Sequence, residues 1–215
     1  MKKGIFITYE GGEACGKSTQ IKMLKEYIAT LKNKDDFVFV REPGGTPLAE
    51  EIRKLLLNYE EDKPTPMAEL LLFYSSRAQL SQNVIVPALK QGKIVIADRF
   101  YDSTIAYQGM ARKVMTPEGI LTLTKMAIGS LKPDTTIYLK LTPEEAFKRK
   151  NKMDEKLDRM EQEGLVFHQN VKKGYDYIAK IEPERFCTID ASKSPEEVFN
   201  NIKNELTKRY PKQFK

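Results

Sequence analysis

Gly11-Gly12-Glu13-Ala14-Cys15-Gly16-Lys17-Ser18 follows the spacing G-x-x-x-x-G-K-[ST], a loop whose backbone N–H groups can ring a phosphate. The flanking residues supply the context that the pattern needs. Before it, Ile5-Phe6-Ile7-Thr8-Tyr9 is a short β-favouring run suited to a buried strand. After it, Ile21, Leu24, Ile28 and Leu31 are spaced 3, 4 and 3 apart and form one apolar helix face. Strand, glycine turn and helix together place the loop at the positive end of a helix, where an anion is stabilised. In such a loop Lys17 reaches the β- and γ-phosphates and the Ser18 hydroxyl ligates Mg²⁺. Gly11 through Ser18, with Thr19 behind them, are the expected phosphate contacts.

The 215 residues suffice for one domain over 1–215 with small insertions, large enough to bury a real core. With 31% charged and 40% hydrophobic residues, the composition is that of an ordinary soluble globular chain. No apolar run approaches the ~18 residues that a bilayer span needs. Met1-Lys2-Lys3-Gly4 leads into only a short strand before Glu10, so no signal-peptide apolar region is expected. Cys15 and Cys187 lack CxxC spacing, which argues against a disulfide scaffold or zinc site and for a reducing cytoplasm. Cys15 reads as a small residue that fits the loop. The formal charge of +6 comes from 36 basic and 30 acidic residues. Basic residues gather at Lys148–Lys156 and Lys208–Lys215, without the aromatic interleaving of single-strand binders. An anionic small-molecule substrate explains the excess and no nucleic-acid partner is expected.

Five strands are predicted: Ile5–Tyr9, Phe37–Val40, Ile94–Ala97, Thr136–Leu141 and Phe186–Ile189. Helical patterns lie between them, so the fold class is α/β, a five-stranded parallel sheet with helices on both faces. Thr46-Pro47, Thr65-Pro66, Thr116-Pro117, Thr142-Pro143 and Ser194-Pro195 each set a capping hydroxyl before a proline suited to the first helical position. Thr142–Glu145 and Ser194–Glu197 also read as capping boxes. Two regions exceed the needs of plain strand–helix–strand units. Thr46 to Gln91 has room for two or three helices, and Thr142 to Met160 is densely charged. They are the natural places for an acceptor-binding flap, within about 41–110, and a closing lid, about 142–160.

Three further groups could do chemistry. Ile94–Ala97 runs into Asp98-Arg99, and ligands in open parallel sheets sit at the carboxyl ends of strands. Asp98 would there complete the Mg²⁺ shell, and Arg99 suits bidentate phosphate recognition. Arg41-Glu42-Pro43-Gly44-Gly45 makes a sharp turn whose Arg and Glu are costly to bury unpaired. Phe73 and Arg77 share a helix face at i and i+4. A ring stacking on a base and a guanidinium bonding its edge would act together, although each taken alone reads as a core aromatic and a solvated charge. His168, the only histidine, reads as a surface or supporting residue on a helix with Val171, Tyr175 and Ile178.

Taken in order, Tyr9-Glu10-Gly11-Gly12-Glu13 with Gly16-Lys17-Ser18-Thr19, Arg41-Glu42-Pro43-Gly44-Gly45-Thr46, Leu72-Phe73 with Arg77, Asp98-Arg99-Phe100 with Ala106-Tyr107-Gln108-Gly109, and Leu157-Asp158-Arg159-Met160-Glu161 resemble the bacterial thymidylate kinase family. The resemblance spans nearly the whole chain. It implies a fold of the P-loop nucleoside triphosphate hydrolase type, ATP-dependent phosphorylation of dTMP to dTDP with Mg²⁺, and a homodimer. It also implies that Phe73 stacks on thymine, that Arg77 meets the thymine edge, and that Thr104 and Gln108 lie near the pyrimidine. Arg53 and Arg99 match acceptor-nucleotide contacts, Arg99 for the phosphate. Glu13 matches the loop carboxylate that faces the sugar, Tyr107 the aromatic that crowds its 2′ position, and Pro43 a proline often preceded by a cis peptide bond.

The chain departs from the family pattern twice. Phe100 stands where many relatives have Tyr. Ala14 stands where one branch carries arginine, which places the chain with the branch that clamps the transferring phosphate from the lid. At the lid positions it carries Lys150 and Lys152, with Arg149 adjacent. Because lysine is a point charge and arginine a two-pronged donor, Arg149 is the expected catalytic lid residue beside Lys17, Asp98 and Arg99. The acceptor is a phosphate oxygen, already anionic, so alignment and charge neutralisation suffice without a strong base. A related nucleotide kinase, a phosphate-loop switch or ATPase, and a nucleic-acid-binding module are the rival readings. The switch would leave Phe73 and Arg77 without use.

Overall fold

The computed structural model describes residues 4–58, 63–150 and 159–215. Its five strands are β1 (Ile5–Glu10), β2 (Phe37–Arg41), β3 (Ile94–Asp98), β4 (Thr135–Lys140) and β5 (Phe186–Asp190). All five predicted strands are present, each displaced or extended by a residue at one end. They form one parallel sheet in the order β2-β3-β1-β4-β5. The connection after β1 runs toward β2 and the one after β3 runs toward β4, so the chain diverges between these two adjacent strands. Such a divergence opens a crevice at their carboxyl ends.

Helices cover both faces: α1 (Lys17–Ala29), α2 (Pro47–Asn58), α3 (Pro66–Leu80), α4 (Val86–Lys90), α5 (Tyr101–Thr104), α6 (Pro117–Ile128), α7 (Pro143–Lys150), α8 (Leu165–Ile181) and α9 (Pro195–Arg209). The proline-marked starts hold at α2, α3, α6, α7 and α9. The hydroxyls of Thr46, Thr65, Thr116, Thr142 and Ser194 each accept an N–H three residues on. At α7 the box is reciprocal, since Glu145 Oε2 accepts from the Thr142 N–H at 3.4 Å and its hydroxyl at 2.7 Å. At α9 the Ser194 half of the box is formed.

Alternation along the strands divides the core in two. Phe6, Val95 and Ala97 face α3, α6 and α8, where Leu70, Tyr74, Ile120, Val171 and Tyr175 pack. Ile7, Tyr9, Ile94 and Ile96 face α1 and α9, against Leu24, Ile28, Val198, Ile202 and Leu206.

Two wide helical turns continue shorter helices: Ser81–Ile85 joins α3 to α4, and Ile105–Ala111 continues α5. The wider i→i+5 turn rotates the side chains that follow, a device common at functional sites. Here it turns Tyr107 and Gln108 toward the crevice. Helix α8 crosses this segment at Gly174, where a Cβ would lie 2.7 Å from Ala106 Cα.

His168 is not a surface residue. It is 6% exposed, edge-on to Phe147 and Phe167 at 5.6 and 5.5 Å. Burial and the charge of Lys150 lower its pKa, so it is a neutral packing group. Position 168 continues the stripe of Val171, Tyr175 and Ile178 one turn toward the helix N-terminus, so of the two readings of this residue, surface or supporting, the supporting one holds. Of the expected lid, residues 151–158 lie outside the described residues, and with them Lys152, Leu157 and Asp158.

Candidate active site

A cleft of about 670 Å³ opens at the carboxyl ends of β1, β2 and β3. It brings together residues that are far apart in sequence: the loop residues 13–19, Arg41–Pro43, Arg53, Phe73, Arg77, Asp98, Arg99, Thr104, Tyr107, Gln108 and Arg149. Gly11 and Gly12 form the loop's floor behind Lys17.

Two of the loop's glycines, Gly11 and Gly16, are required by its path, which takes both to positive φ. Gly11 has φ +149°, and a Cβ there would lie 2.7 Å from Leu139 O and 2.8 Å from Cys15 Sγ. Cys15 is thus a buried packing residue at 2% exposure. Lys17 Nζ donates to Gly11 O at 3.1 Å and Gly12 O at 2.8 Å, which lays the ammonium along the loop. Ser18 and Thr19 are exposed at the start of α1. Asp98 pairs in register with Tyr9, beside the loop's origin. Its Oδ1 is buried without a hydrogen-bond partner among the described residues, although it borders the cleft.

Arg99 is held in a left-handed conformation, φ +69°, which costs a non-glycine residue of order 1 kcal/mol. Its N–H donates to Tyr9 O at 3.0 Å. Its guanidinium pairs with Glu13 Oε1 at 2.7 Å and donates to Gly11 O at 2.9 Å. Burial raises the Glu13 pKa, but the charges of Arg99 and Lys17 and the Tyr107 hydrogen bond outweigh it, and the net value falls to about 2. Behind this pair lies Glu10, fully buried, accepting from Phe100 N at 2.7 Å, Ser103 Oγ at 2.6 Å and Tyr175 OH at 3.0 Å. Burial and the neighbouring Asp102 push Glu10 up to about 7, against the pull of Ser103 and Arg99.

The far wall begins at the Glu42-Pro43 bond, which is cis. The cost of burying Glu42 is partly offset by Arg77, whose Nε donates to Glu42 Oε2 at 2.8 Å. Glu42 Oε1 and Arg77 Nη1 have no partner among the described residues. Desolvation therefore outweighs the ion pair, and the Glu42 pKa is pushed up to about 7. Arg77 is not the solvated charge that it would be in isolation; it is 2% exposed and lies over Tyr74 and Phe100 at 5.1 and 5.5 Å. Phe73 is half-buried at the cleft wall, not in the core. Arg53 reaches from α2 to Pro43 O at 2.9 Å. Arg41 instead faces solvent, paired with Glu50. Phe100 is fully buried, edge-on to Phe6 at 4.9 Å.

On the opposite side Arg149 donates to Ala191 O at 2.7 Å and Ala14 O at 3.4 Å, bridging β5's exit to the phosphate loop. Lys150 Nζ donates to Glu161 O at 2.8 Å. The cleft also includes Ser103, Lys193 and Glu161, none of them anticipated from the sequence. Glu10 and Glu69 support it from behind. Glu69 had a readable signal: with Phe73 and Arg77 it continues one helix face at i, i+4 and i+8. For Lys193 and Ser103, which lie on a loop and a short helix, no such spacing exists.

A phosphate loop facing an arginine-bearing acceptor wall across one cleft is an arrangement with known counterparts. The family model described as thymidylate kinase matches residues 9–202. A thymidylate kinase of Thermoanaerobacter sp. (strain X514) is 43% identical over 208 residues, 97% of this chain and 99% of the relative. One from Chlorobaculum parvum (strain DSM 263 / NCIMB 8327) is 44% identical over 210 residues, covering 94% and 95%. The crystal structure of thymidylate kinase from Ehrlichia chaffeensis superposes with a TM-score of 0.77 at 32% identity, covering 95% of this chain and 99% of that one. From the phosphate loop after β1 to the last helix, in sequence and in fold, the chain belongs to the thymidylate kinase family.

Proposed function

We propose that the cleft transfers the γ-phosphate of ATP to dTMP, giving dTDP and ADP for dTTP synthesis. The observation that carries this reading is the arrangement of Arg77 and Gln108 across the cleft from the phosphate loop. Arg77 Nη1 is a buried donor without a partner among the described residues. The Gln108 amide nitrogen is turned away to Glu69 at 2.8 Å, leaving its carbonyl oxygen as the acceptor it can offer the cleft. One donor beside one acceptor complements the O4 and N3–H of thymine and mismatches cytosine at both atoms. Phe73 supplies the stacking face, Thr104 borders the base, and Tyr107 with Glu13 bounds the sugar. Arg99, Arg53 and Pro43 frame the acceptor phosphate.

On the donor side, residues Gly11–Thr19 cradle the phosphates of ATP. Lys17, Arg99 and Arg149 neutralise the charge as an acceptor phosphate oxygen bonds to the γ-phosphorus and the bridge to ADP breaks. Mg²⁺ fits the donors available, since Asp98 Oδ1 lacks a partner, Ser18 offers a hydroxyl, and this ion keeps several waters among its ligands. When bound, it supplies charge neutralisation between the β- and γ-phosphates.

We read residues 1–215 as a single kinase domain with its acceptor region over 41–110 and its lid over 142–160. A homodimer is supported by Leu48 and Leu55 on α2 and Met67 and Leu71 on α3, all exposed on helices packed side by side. No helix among the described residues is long and apolar enough to cross a membrane. Two free, buried cysteines support a cytoplasmic location. A coupled ADP-release assay with dTMP, dUMP, dCMP, UMP and no acceptor tests the reading. The expected order is dTMP, then dUMP, then dCMP, and equal rates on dTMP and dCMP would overturn it.

A further inference from the structure

Glu69 lies one layer behind the cleft on α3, 1% exposed. It carries three donors. Gln108 Nε2 and Arg112 Nε each reach Oε1 at 2.8 Å, and Arg159 Nη2 bonds Oε2. Both of its oxygens accept from these donors, two of them guanidinium groups, so the carboxylate presents acceptors only to its surroundings. The consequence falls on Gln108, itself 2% exposed. A glutamine amide has a donor end and an acceptor end of nearly the same shape, and its environment selects which way it points. Facing Glu69, the amide must present its NH₂ group, so its carbonyl faces the cleft. We propose that Glu69 is a positioning residue for base selection: it fixes the Gln108 amide with the acceptor toward the pyrimidine N3, and so excludes bases that bring an acceptor there. This rests on the thymine reading of the cleft and adds to it a carboxylate that never touches the nucleotide.

The charge accounting favours this role over a purely structural one. Arg112 also pairs with Glu163 at 2.8 Å, and Arg159 Nε donates to Leu56 O at 3.1 Å, so both arginines have partners besides Glu69. Among the described residues, Gln108 Nε2 is bonded to Glu69 alone. Of the three donors, the amide is thus the one whose orientation Glu69 decides.

The test is the ratio of kcat/KM for dTMP to that for dCMP, with dTMP and dCMP affinities measured separately by calorimetry. In Glu69→Gln the new amide can donate or accept, so Gln108 is free to turn. The ratio should fall about tenfold or more, the scale of one misdirected buried hydrogen bond. The KM and Kd for dTMP should rise while those for dCMP do not follow. In a Gln108→Leu background the same Glu69 substitution should leave the ratio unmoved, because there is no amide left to orient. Glu69→Asp keeps the charge and shortens its reach by one methylene, which long arginine side chains can follow more readily than the shorter Gln108; it carries the same ratio measurement if Glu69→Gln does not fold. A ratio that stays at the parent value in a folded Glu69 variant, or that shifts equally with and without Gln108, overturns the proposal. A parent enzyme that accepts dCMP as well as dTMP overturns the base assignment itself, and this proposal with it.

Discussion

The phenolic hydroxyl of Tyr107 donates at 2.5 Å to Glu13 Oε1, the same carboxylate oxygen that Arg99 pairs with at 2.7 Å. A residue of the phosphate loop is thereby tied to the wide turn Ile105–Ala111, the element proposed to bound the acceptor sugar. The Tyr107 ring is buried edge-on to Phe167 and Tyr175, with the Arg99 guanidinium over its face at 5.2 Å. Hydroxyl and ring have separable roles.

Removing the hydroxyl alone should be mild. Tyr107→Phe leaves Glu13 paired with Arg99 and should cost about 1 kcal/mol of stability, with the preference for dUMP over UMP unchanged. On the proposed placement of the ring against the sugar 2′ position, Tyr107→Ala should narrow that preference, mainly by improving UMP. A buried 2′-hydroxyl without a partner costs roughly 1–3 kcal/mol, which sets the scale of the change. The kcat/KM ratio of the two acceptors decides; a ratio that stays fixed in Tyr107→Ala would mean that the ring serves only the core.

Lys17→Ala should lower kcat by about 100-fold or more, the usual effect of losing one preorganised charge donor. Its present bonds go to the loop carbonyls of Gly11 and Gly12, so unfolding should remain cooperative and shift by no more than about 1 kcal/mol. Parent-like turnover in a well-folded variant would contradict the phosphate-loop assignment.

Glu42 predicts a pH dependence of stability. Burial lifts its pKa from the ordinary 4.5 to about 7, so between these values the folded state holds a proton that the unfolded state has released. Stability must then fall as pH rises through that window, by up to about 3 kcal/mol. Glu10, also raised to about 7, contributes in the same direction. Urea unfolding at pH 5 and pH 8 should show a smaller loss in Glu42→Gln than in the parent. An equal loss in both would show that Glu42 ionises normally despite its burial.

Much of this was legible because local chemistry and global fold agree. The five strands, the proline-marked helix starts and the loop's glycines are local signals, and each held within a residue or so. Asp98 and Arg99 were legible because a strand's carboxyl end is a place in sequence as well as in space. The wide turn at Ile105–Ala111 was not, since nothing in Ile-Ala-Tyr-Gln-Gly-Met-Ala distinguishes it from an ordinary helix; it is set by packing against α8 at Gly174. Nor was the role of the buried carboxylate Glu10, whose partners lie 90 to 165 positions away. Glu69 could be placed on the helix face of Phe73 and Arg77, but its own partners, 39 to 90 positions away, are not encoded by that spacing. Of the two readings of His168, surface or supporting, burial selects the supporting one, because the residue sits three positions before Val171 on the same buried stripe.

Arg149 sits at the end of α7, with one guanidinium nitrogen on Ala191 O and another reaching Ala14 O of the phosphate loop. These two carbonyls hold its plane beside the loop before any phosphate charge develops, and preorganisation is what makes such a donor effective. Lys150 is turned instead to Glu161 O and is 9% exposed. Arg149→Ala should therefore lower kcat more than Lys150→Ala does, by about tenfold to a hundredfold. Arg149→Lys should recover little of the loss, because an ammonium cannot span both the backbone carbonyl and a phosphate oxygen in the fixed plane of a guanidinium. KM for dTMP should stay near the parent value in all three variants, since this side of the cleft does not border the base. A larger loss of kcat in Lys150→Ala, or full recovery in Arg149→Lys, would place the clamp on point charges and not on the arginine fork.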